Sequence, residues 1–213
     1  MTIKRIENYL KTVSENLAEI ESRREKVIKD SRAITFNASK AIVAIHKKDY
    51  KSSKNYLSES KTLLTKLSAY AGDDLGRYLY VPAGEYVEAS VVMAVSKGRS
   101  IPTGLELNVP STSYLHGLLD TIGELKRMVY DRIREDKSED AIKLFDIMQQ
   151  LFSLLSPFAE FDHVAKGIRR KIDVSRMLIE GTRAVVTEES RRQKFIKEIN
   201  KIRLPTRSLK TKK

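Results

Sequence analysis

The first 71 residues contain neither glycine nor proline; Gly72 and Pro82 are the first of each. Those two residue types are the usual punctuation of a helix, so this stretch has few options other than long helix. The apolar positions agree. Ile3, Ile6, Leu10, Val13, Leu17 and Ile20 recur at three- and four-residue steps, which predicts one buried stripe. Val27, Ile34, Ala38, Ala41 and Ile45 continue a stripe of that kind, and Tyr56, Leu63, Leu64 and Leu67 supply one beyond a hinge near "HKKDYKSS".

The remaining chain is punctuated more often. "AGDDLGRYLYVPAG" reads as a break, followed by a helix from about Glu85 to Lys97. "KGRSIPTGLELNVP" reads as the longest loop. "STSYLHGLLDTIGELKRMVYDRIRE" reads as a strong helix with Ser111 or Ser113 as N-cap. "SEDAIKLFDIMQQLFSLL" is another, stopped by Pro157, and a last long helix runs from about Asp162 through "GIRRKIDVSRMLIEGTRAVV". No segment alternates with period two, so no strand is expected. The expectation is an all-α protein, six or seven helices in an antiparallel bundle-like domain over residues 1–202. Residues 203–213, with five basic residues and no acid, are expected to be a flexible basic tail.

Composition removes several classes. The chain has no Cys and three His, which excludes thiol chemistry and disfavours a zinc site. No apolar run approaches the ~18 residues of a membrane span, and the N-terminus lacks the apolar core of a signal peptide, so a cytoplasmic location without membrane association is expected. The formal net charge of +12 points first to nucleic acid or another anionic surface. Phosphate-binding glycine loops, GxSxG and HExxH motifs are absent, and no organic cofactor is expected.

Two acidic pairs sit on otherwise apolar helical text. Glu85 and Glu88 are i,i+3 in "GEYVEASVVMAV"; Asp120 and Glu124 are i,i+4 in "YLHGLLDTIGELKR", with His116 a turn earlier. If the two helices packed antiparallel, Glu88 and Asp120 would lie about 13 and 12 Å from the connecting loop, and Glu85 and Glu124 about 18 Å. Four converging carboxylates repel unless a cation neutralises them. All-oxygen ligation suits Mg²⁺, Mn²⁺ or Ca²⁺, which can activate water against a phosphodiester. The competing reading makes these rim acids paired with Lys126, Arg127 or Arg77. A di-iron carboxylate site would need Glu-x-x-His motifs, and none occurs.

A basic strip lies on the first helix. Lys29, Lys40 and Lys47 project in nearly one direction, with Arg32, Phe36 and Val43 close by and Arg24, Ser31, Thr35, Ser39 and His46 on the adjoining strip. Such a face can hold phosphates and stack a base. Phe36 itself is expected at a helix–helix contact.

"EYVEA", followed about thirty residues later by "YLHGLLDTIGELKRM", resembles the translin and translin-associated protein X family. "SRREKVIKDSRAITFNASKAIVAIHKKDY" is similar to that family's first helices, and "FAEFDHVAKGIRRKIDVSRMLIEGTR" to its C-terminal helix. The resemblance implies an all-α subunit, a hollow octamer-like homo-oligomer, and binding of single-stranded RNA or DNA inside it. It further implies an X-type subunit, with Glu85, Glu88, Asp120 and Glu124 holding Mg²⁺ (or Mn²⁺) for endoribonuclease cleavage. The basic stretch that plain translin carries in place of "EYVEA" is missing, so binding is expected to rest on Arg24, Lys29, Arg32, Lys40 and Lys47. The chain also lacks the insertion of eukaryotic X-type subunits and looks archaeal. The alternative is a non-catalytic shell that binds single strands without metal.

Overall fold

A computed structural model describes residues 2–202 of the chain; the basic tail, residues 203–213, lies outside the described residues. Among the described residues seven α-helices follow one another: α1 (Thr2–His46), α2 (Tyr50–Leu75), α3 (Tyr80–Ser96), α4 (Gly104–Leu107), α5 (Ser111–Arg134), α6 (Ser138–Leu155) and α7 (Ile168–Ile202). Short 3₁₀ turns, Gly76–Leu79 and Ser156–Phe161, precede α3 and follow α6. No strand occurs among the described residues, so the all-α expectation holds. None of these helices is long and apolar enough to cross a membrane.

The chain forms two compact units whose boundary, between Thr121 and Ile122, falls inside α5. In the first, α1 and α2 run antiparallel after a tight turn at Lys47–Asp49, where Asp49 caps α2 by accepting from the Ser52 backbone N–H. Ser60 donates to the Ile34 carbonyl, and Arg23 forks onto Asp74 at the far end. Val27, Ile34, Ala38, Ala41 and Ile45 are buried as their periodicity predicts, and Ala89 of α3 packs among Ala38, Ala41 and Ile42. Small residues there let three helices approach closely.

The N-terminal half of α1 departs from expectation. Ile3, Ile6, Leu10, Leu17 and Ile20 are all exposed, Ile3 at 80% and Leu17 at 60%. The reason is geometric: α2 ends level with Arg23, and α1 runs on beyond it.

The break after α2 also resolves differently. Gly72 takes a left-handed φ of 59°, open to glycine without strain, and α3 then starts at Tyr80 rather than Glu85. Pro82 sits in its first turn, where a missing N–H breaks no intrahelical bond. The expected long loop holds the one-turn α4, closed by a capping box between Thr103 and Glu106. α5 opens at Ser111, so Ser113 is buried inside the helix instead of capping it.

In the second unit α6 and α7 pair antiparallel, with Ser138 against Glu189 and Phe152 against Arg176. The last helix starts at Ile168 rather than near Asp162, whose carboxylate instead accepts from the Arg169 backbone N–H.

Candidate acidic site and nucleic-acid interface

The acidic residues are placed by a close approach of α3 and α5. Gly84 faces Ser113 and Gly117, and a Cβ at Gly117 would collide with the Gly84 carbonyl and with Val87. Advancing along α3 from Gly84 to Val87 thus keeps pace with α5 from Ser113 to Gly117. Asn108 and Pro110, just ahead of α5, line one pocket of about 270 Å³ with Tyr80 and Ala83 at the start of α3. The Tyr114 hydroxyl donates to the Pro102 carbonyl, tying the connecting segment to α5. α3 and α5 therefore run in the same direction where they touch, not antiparallel. The 97–110 connection carries the chain back along α3 before α5 begins.

Parallel packing changes which acids meet. With Val87 level with Gly117, Glu88 lies about 3 Å along the axes from Asp120, and Glu85 falls a turn earlier, beside the level of His116. Gly84, Val87, Glu88 and Val91 share one side of α3, while Ser113, Gly117, Asp120 and Thr121 share one side of α5. The two glycine-bearing sides face each other, so Glu88 and Asp120 lie on facing flanks. Glu85 lies at the margin, and Glu124 follows one turn farther along α5. All four are half-buried, and each takes part in at least one polar, charged or ring interaction. Glu124 stands 3.8 Å from Arg127, the local pairing that the rim reading expects. Among the described residues no group of three or more His, Asp or Glu is gathered to hold a metal ion.

The basic strip is a real surface feature. Phe36, Ser39, Lys40, Val43 and Lys47 of α1, with Asp49, Ser52 and Tyr56, line a groove of about 270 Å³. Phe36 is 59% exposed, contrary to its expected place in a helix contact. The Lys40 ammonium lies 4.2 Å from the Phe36 ring centre and 5.5 Å from that of Tyr56. Tyr56 was expected only as core; the antiparallel register of α1 and α2 places it opposite Lys40, a signal that needs the hinge position. Lys29 and Arg32 are exposed farther along α1.

Two members of the strip are engaged within the chain. Ser31 is buried and donates to the Ile28 carbonyl. The Arg24 Nε donates to the Tyr78 hydroxyl at 2.9 Å, and its guanidinium pairs with Glu21 at 2.7 Å. The Tyr78 bond and then Glu21 raise the Arg24 pKa, while Arg77 and Arg24 together lower that of Tyr78.

No family model matches the sequence. An uncharacterized protein of Methanocaldococcus jannaschii is 35% identical over 169 residues, 78% of this chain and 76% of that protein. Two C3PO structures superpose on this chain: AfC3PO, at 28% identity and a TM-score of 0.78, and an AfC3PO–duplex RNA complex, at 26% and 0.77. Both cover 85% of this chain, and 97% and 96% of their own. Apo-NeC3PO, at 21% identity and a TM-score of 0.73, shares the fold.

Proposed function

The chain belongs to the translin family, and on that premise we propose that it binds single-stranded RNA and cleaves it with the help of a divalent metal. The observation that carries the binding is the groove of Lys40, Lys47, Phe36 and Tyr56. Two ammonium groups offer phosphate contacts, and two partly open rings offer faces on which an unpaired base can stack. The likeness to a C3PO chain in complex with duplex RNA supports nucleic acid as the partner. The exposed aromatic favours unpaired over paired bases, whose faces are already stacked.

Cleavage is assigned to Glu88 and Asp120, with Glu85 and Glu124 flanking them. Mg²⁺ is commonly held by one or two carboxylates while water and substrate phosphates complete its octahedron. An open acidic flank fits that habit, where a closed three-ligand cage would suit a permanently bound ion. Glu88 and Asp120, flanked by Glu85 and Glu124, would hold such a metal, which would supply an activated water and neutralise charge developing on the phosphodiester. Lys40 and Lys47 hold the strand by its backbone. A hollow homo-oligomer, octamer-like in the resemblance, would enclose these surfaces.

The test is labelled single-stranded RNA incubated with protein in Mg²⁺ and in EDTA. Cleavage in Mg²⁺ alone, abolished by Glu88→Gln or Asp120→Asn with binding retained, is the expected result. Cleavage that survives both substitutions removes the acids from the reaction. Binding without cleavage in any divalent metal supports the second reading, a non-catalytic shell, which the Glu124–Arg127 pairing favours.

A further inference from the structure

We propose that Tyr70, with Lys29 and Lys66, forms a second contact for the same RNA strand, farther along the seam between α1 and α2. The inference rests on the single-strand reading of the Lys40 groove and adds a length requirement to it. The register of the two helices carries it. Lys40 lies 5.5 Å from the Tyr56 ring centre, Asn37 donates to Glu59 at 3.2 Å, and Lys26 lies 5.8 Å from the Tyr70 ring centre. Each step back along α1 thus matches an equal step forward along α2. A lysine beside a tyrosine recurs fourteen residues away on both helices at once. Fourteen residues make about 21 Å of helix and return a side chain to within about 40° of its first direction. The second pair therefore opens on the same side of the seam as the first.

The chemistry at the second pair suits a nucleotide. Tyr70 is 40% exposed, so its ring offers a stacking surface to an unpaired base. Lys26 is held by Asp30 at 2.8 Å, which leaves the phosphates to its neighbours. Lys29 stands a turn from Lys26 on α1, and Lys66 a turn from Tyr70 on α2, both exposed. The shared register sets these two ammonium groups almost level, one on each bank of the seam. Between the two sites the strand passes Ala33, Leu63 and Glu59, whose carboxylate already accepts from Asn37. Beyond Tyr70 the charge reverses, with Glu25 and Asp73 exposed, so the basic track ends there. From Lys47 to Lys26 the track measures about 30 Å, room for several nucleotides rather than one base.

Two contacts on one strand make the second binding step intramolecular, so affinity climbs once a strand is long enough to bridge them. Uridylate trinucleotides and dodecanucleotides, which do not pair with themselves, are titrated by fluorescence anisotropy, with EDTA to prevent metal-dependent cleavage. Tyr70→Ala, and separately Lys29→Glu with Lys66→Glu, should weaken dodecamer binding at least tenfold. Trimer binding should fall by no more than about twofold, because the Lys40 groove still takes a short strand. Tyr70→Phe should restore dodecamer affinity, since stacking needs the ring and not the hydroxyl. All three side chains are exposed, so Tm should not move. A dodecamer that binds Tyr70→Ala as tightly as wild type, while Phe36→Ala and Lys40→Glu weaken it, overturns the second contact and leaves the groove standing. A dodecamer indifferent to all of these changes overturns the groove reading and this inference together. Equal losses for trimer and dodecamer in Tyr70→Ala would also refute a bridged strand.

Discussion

Two glycines on one helix should respond to alanine with opposite sign. Both lie inside α5, and Ala is favoured over Gly in a helix interior by about 1 kcal/mol. At Gly123 the added Cβ would meet only Leu178 Cδ1, at 4.0 Å, an ordinary contact, so the propensity gain survives. At Gly117 the Cβ would stand 2.5 Å from the Gly84 carbonyl oxygen and 2.6 and 2.8 Å from Val87 Cβ and Cγ1. None of these atoms can swing aside: one is backbone, and the others belong to a β-branched side chain that is 0% exposed. α3 and α5 would have to part by about 1 Å, forfeiting dispersion across the contact. Overpacking of this kind costs about 1–3 kcal/mol and should fall at the upper end here. Less the propensity gain, Gly117→Ala is expected to destabilise by about 1–2 kcal/mol. At this chain length that lowers Tm by about 2–8 °C, whereas Gly123→Ala should raise it by about 2–4 °C. Urea denaturation and thermal melts of the two variants and wild type measure both. Because Gly117 sets the spacing of Glu88 and Asp120, its alanine variant should lose cleavage rate faster than RNA affinity. A Gly117→Ala protein at least as stable as wild type would refute the close approach of α3 and α5, and with it the placement of the acids.

Binding to single-stranded RNA should weaken with salt at a log–log slope of about −0.7 per phosphate contact. Lys40→Glu with Lys47→Glu should flatten that slope by roughly two contacts' worth, while Arg24→Ala, whose guanidinium is engaged by Tyr78 and Glu21, should leave it nearly unchanged; fluorescence anisotropy across a salt series reads both. Phe36→Ala should cost about 1–3 kcal/mol of single-strand affinity if the ring stacks a base, yet scarcely move Tm; a core phenylalanine would show the reverse. Burial opposes the charge on Glu189, but hydrogen bonds from Ser138 and Gln193 and the Arg192 ion pair outweigh it and hold the carboxyl below its usual pKa. A depressed folded pKa stabilises above the unfolded value near 4.5 and is lost as pH falls through the folded one. Wild type should therefore lose stability below about pH 4.5 more steeply than Glu189→Gln, as melts between pH 3 and pH 7 would record.

The helices were legible because the chain withholds glycine and proline for so long and then spends them at breaks. Their faces were legible too, but not what covers each face. Ile6 and Ile34 carry the same periodic signal; one is bare and the other buried because α2 stops level with Arg23, a length that periodicity does not report. Phe36 failed for the converse reason. It lies off the core stripe, and its chemistry argued for burial where its phase argued against it. The direction of α5 relative to α3 was hidden in a fourteen-residue connection (97–110), long enough to turn back at once or to run the length of α3 first. The candidate acids were chosen from residue type and spacing, while the facing of the Glu88 and Asp120 flanks follows from Gly84 meeting Gly117, a contact with no sequence signature beyond two small residues.

α1 also has a mechanical character. Supported from about Arg23 onward and unsupported before it, the helix is a cantilever whose free arm is about 30 Å long. A change of 5° in its direction at the root displaces Ile3 by about 2.6 Å, half a helical turn. A substitution that tilts α1 against α2 or α3 by an amount the core absorbs would therefore appear, magnified, at the tip. Changes at Ile34 or Ala38 could alter where the arm points while leaving every one of its own residues untouched.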